Sequence, residues 1–150
     1  MIRPISGEEL SGRVQAVIPT AIVGSDESTV WITPESVLDV CRLLADTQDL
    51  EFNLLNSISA VDYVEHFEVV YHLTSTTRMH SAVLKTRIFD RDAPTLPSVF
   101  SVWQGADFQE REVWDLMGVA FEGHPNLKRI LLWGGYEGHP LRRDYLESPR

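Results

Sequence analysis

The residue types able to do chemistry gather between Gln104 and Asp144. Glu110, Glu112 and Asp115 follow one another there. Two Gly-His-Pro triplets, Gly123-His124-Pro125 and Gly138-His139-Pro140, stand 15 residues apart. Two imidazoles and a carboxylate could build a zinc site or a proton-transfer pair, so Glu112, Asp115 and His124 or His139 could serve a hydrolase. The spacing marks out no third ligand, which counts against that use. Further forward, His66 and His72 fall on one face of a strand-like segment but stand roughly 20 Å apart, too far to share a metal; with His80 they read as solvated or hydrogen-bonded side chains. No Gly-x-Ser-x-Gly elbow occurs, and Gly134-Gly135-Tyr136-Glu137-Gly138 lacks the Lys-Ser/Thr ending of a phosphate loop. A single Cys41 excludes an internal disulfide framework and a multi-cysteine zinc or iron–sulfur site.

Positioning these groups requires a helix. Asp107 and Glu110 have N-cap and N3 spacing, the helix runs to about Met117, and Gly118 sits where a C′ glycine belongs. At about 100° per residue, Trp103, Ala106, Val113, Trp114 and Met117 share one arc, with Glu110 near its middle. A carboxylate inside an apolar arc costs on the order of several kcal/mol unless a donor or cation meets it. The expectation is an arginine from the tail (Arg129, Arg142 or Arg143) or from a partner protein; the alternative is a Glu110 that snorkels out at the helix end. Asp107, Arg111 and Asp115 lie on another face at i, i+4 spacing and read as a solvated ladder. Beyond the helix, each Pro makes its triplet a rigid corner. The apolar Ile130-Leu131-Leu132-Trp133 belongs to no amphipathic helix, so the tail is expected to lie against another surface rather than close its own sheet.

The front of the chain supplies the scaffold. Ser6 and Glu9 have capping-box spacing ahead of Leu10, Val14, Val17 and Ile18, a short helix ending before Pro19. Thr29 to Thr33 reads as a strand, with Thr33 then as N-cap and Pro34 at N1 of a second helix. That helix aligns Val37, Leu38, Cys41, Leu44 and Ala45, where Cys41 serves as a small apolar residue. From His66 to Leu73, Phe67, Val69, Tyr71 and Leu73 alternate onto one face; Arg78 to Phe89 repeats this with Ala82, Leu84, Thr86 and Ile88. Thr74–Thr77 is the expected hairpin loop, with a register that sets Glu68 opposite Lys85. Phe52–Val61 and Ser98–Trp103 are weaker strand candidates. The sum is an α+β fold: a two-layer arrangement with a mixed or antiparallel sheet, helices packed on one face, and an irregular C-terminal arm. One domain is expected over 1–150, with a core at 1–118 and an arm at 119–150.

Composition narrows the function. The chain has 150 residues, 43% of them apolar, and a net charge of −9. That argues against a nucleic-acid partner, no apolar run is long enough to span a membrane, and Met1–Leu10 shows no secretory signal. The charge is uneven. Residues 1–75 hold three basic and twelve acidic side chains, whereas 76–150 hold ten of each. The neutral half also carries six of the nine glycines and three of the four tryptophans, a composition suited to docking.

Glu110-Arg111-Glu112, Asp115-Leu116-Met117-Gly118, Phe121, Gly123-His124-Pro125, Arg129-Ile130-Leu131 and Gly138-His139-Pro140-Leu141-Arg142-Arg143-Asp144 resemble the signature of one family. It is the thirty-kilodalton subunit, also called the C subunit, of proton-pumping NADH:quinone oxidoreductase, respiratory complex I. The resemblance is densest over about residues 97–145. It departs where the family commonly has Arg-Lys-Asp-Phe-Pro-Leu and this chain has Arg142-Arg143-Asp144-Tyr145-Leu146-Glu147. The resemblance implies a non-catalytic structural subunit of the peripheral arm, on the cytoplasmic side of the inner membrane. Its signature residues would be interface. They would dock against the hydrogenase-like D subunit, near the quinone site which that chain forms with the iron–sulfur B subunit; the iron–sulfur I subunit would be a further neighbour. It implies no cofactor on this chain, within a complex using FMN, iron–sulfur clusters, NADH and quinone. Equivalent subunits occur in ferredoxin-dependent plastoquinone reductases and membrane-bound hydrogenases, so the electron donor is left open.

Overall fold

The strongest period-two segments form the centre of the fold. In the computed structural model, which describes residues 1–134 and 136–144, the elements run β1 (Arg3–Pro4), α1 (Gly7–Gln15), β2 (Ile22–Ser25), β3 (Thr29–Ile32), a 3₁₀ turn (Pro34–Ser36), α2 (Val37–Asp46), β4 (Leu54–Asp62), β5 (Phe67–Ser75), β6 (His80–Ile88), β7 (Thr95–Pro97), α3 (Ala106–Met117) and β8 (Ala120–Glu122). The main sheet has the order β2-β3-β6-β5-β4, with β1 beside β6 in line with β3. The β4-β5-β6 ladder and the β2–β3 pair are antiparallel, while β1 and β3 run parallel to β6, so the sheet is mixed.

The alternation works as the sequence implies. Phe67, Val69, Tyr71 and Leu73 of β5 and Ala82, Leu84, Thr86 and Ile88 of β6 are all buried. The apolar ones share a cluster with Leu10 and Val14 of α1 and Val40, Cys41 and Leu44 of α2. Each fully buried Leu or Val contributes about 1.5–3 kcal/mol, enough to fix which face of the sheet the helices cover. Ser6 caps α1, its Oγ accepting the Glu9 N–H at 3.1 Å. Gly7 is pressed against the carbonyls of Asp26 and Thr29, leaving no room for a Cβ. Thr33 stands at the N-cap with Pro34 behind it, but its hydroxyl meets Ser36 Oγ rather than a backbone amide, and the first turn is 3₁₀.

Four expectations are corrected. Glu68 pairs with Arg87, not Lys85, because the hairpin turn spans 76–79 and Ser75 still pairs with His80. The face assignment survives, since a two-residue slip preserves it. Ser98–Trp103 is not a strand: pairing ends at Pro97, and Val99 O accepts both the Val102 and Trp103 N–H groups in a tight turn. Helix α1 ends at Gln15, leaving Val17 beyond it and exposed. Gly105, not Asp107, precedes α3, so Asp107 lies in its first turn.

Candidate functional site

Helix α3 lies along β4, where Gln109 Nε2 donates to Asn56 O at 3.3 Å and Gln109 Oε1 accepts from the Ile58 N–H at 3.4 Å. Most of its apolar arc forms as read: Ala106, Val113 and Met117 are buried, and Trp103 below them donates Nε1–H to Phe52 O at 2.9 Å, whereas Trp114 is half-buried against the His139 ring. Glu110 is fully buried within that arc. Its donors are not arginines. Ser98 Oγ donates to its Oε1 at 2.6 Å and the Val99 N–H donates to its Oε2 at 2.8 Å, from the turn expected to be a strand. Burial pushes the Glu110 carboxyl above its usual range, while those two donors pull against the shift.

The solvated ladder is also overturned. Asp115 is fully buried, and the arm folds around it. Its Oδ1 accepts Arg129 Nη1–H at 2.7 Å; its Oδ2 accepts the N–H groups of Ile130, Leu131 and Leu132 at 3.2, 2.7 and 2.9 Å. Burial alone would raise this carboxyl, but Arg129 and the three amides outweigh it and hold Asp115 below the usual carboxylate value. Arg111, instead of pairing with Asp115, donates to the carbonyls of Lys128 and Arg129, and so straps the arm to the outer side of α3. Glu112 is exposed.

The two Gly-His-Pro corners serve opposite ends of α3. His124 Nε2 lies 3.1 Å from Asp107 Oδ1 and 3.2 Å from Asp107 O in the first turn, while its Nδ1 accepts the Asn126 N–H at 2.9 Å. That acceptor role places the ring proton on Nε2. At the other end His139 Nδ1 donates to Asp115 O at 2.9 Å, and the Leu141 N–H donates to Leu116 O at 2.9 Å. A helix leaves its last carbonyls without internal donors; here the arm supplies them. Gly118 ends the helix at φ +77°, as its position predicts, and the His139 ring fills the space where a Cβ would stand. Pro125 and Pro140 follow these histidines and turn the chain.

The arm then closes on the sheet, where Arg142, Arg143 and Asp144 meet two residues the sequence did not single out, Asp62 and Arg91. Asp62, at the buried end of β4, accepts Arg91 Nη1–H and Nη2–H at 2.7 and 2.9 Å and the Arg143 N–H at 2.8 Å. Hydrogen bonding to Arg91, aided by the Arg143 and Val64 amides, holds its carboxyl well below the usual range. Arg143 Nε donates to Asp62 O, Arg142 Nη2 donates to Arg91 O, and Asp144 accepts from Arg91. The Arg91 and Arg142 guanidiniums stand 4.5 and 4.9 Å from the Phe67 ring centroid. Arg129 Nη2 also donates to Gly138 O. The tail therefore lies on its own body, correcting the expectation that it lies only on another. Its apolar tips still face outward: Leu131, Trp133 and Leu141 are 61%, 70% and 60% exposed. Tyr145 and Leu146, part of the departure from the family pattern, lie outside the described residues.

The geometry does not bring together Glu112, Asp115, His124 and His139, the residues that could serve a hydrolase. His124 and His139 sit at opposite ends of α3, Glu112 faces away, and the Asp115 oxygens are occupied by four donors. The lone thiol, Cys41, is enclosed in the core, where burial pushes its pKa up.

A sequence model described as "Respiratory-chain NADH dehydrogenase, 30 Kd subunit" matches residues 30–150. The chain belongs to this family. It is 44% identical over 139 residues to the C subunit of the NADH-quinone oxidoreductase of Roseiflexus sp. (strain RS-1), covering 88% of this chain and 79% of that protein. It is 33% identical over 172 residues to the corresponding subunit of Coxiella burnetii (strain Dugway 5J108-111), covering 92% and 75%. A solved structure of the membrane-bound sulfane sulfur reductase, an archaeal respiratory membrane complex, contains a similar chain. The match has a TM-score of 0.65 and 31% identity, and covers 84% of this chain and 75% of that one. Family membership makes this chain a subunit of a multi-subunit respiratory oxidoreductase. Among the described residues no helix is long and apolar enough to cross a membrane. Within the family signature, most of the polar residues named from sequence split into two tasks. Asp115, Arg111, Arg129, His124 and His139 build the arm on α3, while Arg142, Arg143 and Asp144 tie its end to β4. Asp62, Arg91 and the Phe67 ring complete the second set of contacts, and Ser98 meets Glu110; no local pattern marks Asp62 or Arg91, because their partners lie far along the chain.

Proposed function

We propose that this chain is the non-catalytic docking subunit, the thirty-kilodalton or C subunit, of a proton-pumping NADH:quinone oxidoreductase, placed peripherally on the cytoplasmic side of the inner membrane. The observation that carries this reading is an arm fixed to the body by the buried Asp115–Arg129 ion pair and by the Arg143 N–H bond to Asp62, while Leu131, Trp133 and Leu141 point outward. Large side chains held rigidly at a surface lose little freedom on association, which is what an interface centre requires. The partner would be the hydrogenase-like D subunit of the quinone site, with the iron–sulfur B and I subunits alongside. FMN, the clusters, NADH and quinone would be held by other chains, and this one would keep the redox subunits in register. Trp133→Ala tests the reading. The isolated chain should melt as before, whereas its incorporation into the complex, followed on native gels with NADH:quinone activity, should fall by the equivalent of about 2 kcal/mol. Normal incorporation and activity would defeat the arm as the docking surface.

The likeness to a chain of a sulfane sulfur reductase supports a second reading, in which the same docking role is played in a complex with different electron chemistry. Activity of the purified complex with NADH, compared with reduced ferredoxin, separates the two.

A further inference from the structure

The face of the sheet away from the helices carries a feature that the arm does not explain. Trp31 of β3 lies beneath two cations, Lys85 Nζ and the Arg87 guanidinium, each 5.4 Å from its ring centroid. Glu68 is already satisfied: it accepts Trp31 Nε1–H at 3.1 Å and faces Arg87 Nε at 3.7 Å. Lys85, half-buried, has no carboxylate partner among the described residues. Next to it the His66 ring is held between Tyr63, at 5.3 Å, and Phe89, at 5.1 Å; its Nδ1 is buried without a hydrogen-bond partner. Two hollows of about 460 and 300 Å³ share Trp31 and Arg87; Val23, Pro34 and Phe89 border the first, and Tyr63 and His66 the second. Val23 and Phe89 stand 63% and 68% exposed.

A solvated sheet face carries polar side chains; this one joins aromatic and aliphatic surface to a cation that has no carboxylate partner among the described residues. Its charge also runs against its surroundings, since residues 1–75 hold twelve acidic side chains and three basic ones, and Glu35 and Asp90 line the first hollow. A basic partner would be drawn to those acids, whereas the aromatic-framed Lys85 matches a carboxylate.

We propose that this face is a second docking surface, seating an apolar segment of another subunit whose Asp or Glu side chain pairs with Lys85. The apolar residues of the segment rest against Trp31, Val23 and Phe89, and the ion pair, closed off from water, fixes their register. The proposal rests on the chain being an assembled subunit and is independent of where the arm docks.

Only two lysines occur in the chain, Lys85 on this face and Lys128 in the arm, so amine acylation reports on the two surfaces separately. Acylating the intact complex and the isolated chain with an acetyl ester, then digesting for mass spectrometry, should show Lys85 slowed on the order of tenfold in the complex. Carbodiimide treatment of the same complex should couple Lys85 to an Asp or Glu of a different subunit. Unchanged acylation of Lys85, absence of that coupled product, or coupling to a second copy of this chain each overturns the proposal. If Lys128 is slowed and Lys85 is not, the arm's docking stands and this surface falls. If neither is slowed, both fall.

Discussion

Asp115 exchanges all of its water for one arginine and three consecutive backbone amides, and through them it folds residues 129–132 into a cradle around its two oxygens. Carboxylate acceptors strengthen such bonds, and a buried oxygen left without its donors is expensive. Asp115→Asn keeps the size but replaces one acceptor by an NH₂ facing N–H groups. It should cost about 2–3 kcal/mol in denaturant unfolding; an unchanged midpoint would show that the cradle contributes little. Glu110 illustrates how far one residue can be read. Its place inside an apolar arc was legible from spacing, and so was its need for donors. The donors themselves, Ser98 and Val99, come from a turn 11–12 residues earlier and not from the arginines that charge alone would choose.

At the scale of elements, α3 and the arm are one unit: His124 meets the first turn, and His139 and Leu141 meet the carbonyls of the last. Gly118 is the hinge of this contact. Gly118→Ala would place a Cβ 2.6 Å from His139 Cδ2, and would strain a residue at φ +77° by about 1 kcal/mol. The expected result is a loss of at least about 2 kcal/mol, with amide exchange at Leu141 and Leu131 accelerating in the isolated chain. Protection equal to the parent would show that the arm does not depend on this approach. Strand faces were legible because each is set by period two over successive residues. The β5–β6 register was not, because it depends on where the turn closes; with Ser75 paired to His80, Glu68 falls opposite Arg87, two residues from the expected Lys85.

Across the whole molecule, the buried carboxylates oppose one another in their response to acid. Asp62 and Asp115 have lowered pKa values, so their contribution is complete above the unfolded value of about 3.9 and fades as pH falls below it. Glu110 is raised, so its ionised form costs stability above its folded pKa and acid relieves that cost. Asp62→Asn should therefore be clearly less stable than the parent at pH 7, with the gap narrowing below about pH 4, where the unfolded parent chain takes up a proton that the folded Asp62 still refuses. Thermal unfolding of both chains across that range measures it; a constant gap would mean that the carboxylate's charge is not what holds Arg91 and Arg143. Because Asp62 clasps the end of the arm to β4, the same acid range should expose the arm to proteolysis first.

The order of the residues was enough for the α+β class, the buried face of each central strand, the end of α3 at Met117 with its glycine stop, and the family, whose signature residues crowd 110–144. All of these are local: periodicity, capping and motif spacing act within a few residues of chain. Which charge meets which emerged only on folding. The Arg143–Asp62 contact spans 81 positions and Arg142–Arg91 spans 51. Such pairs arise because packing the helices on one face of the sheet carries distant segments together and strips their polar groups of water, and each group then takes the nearest donor the fold provides.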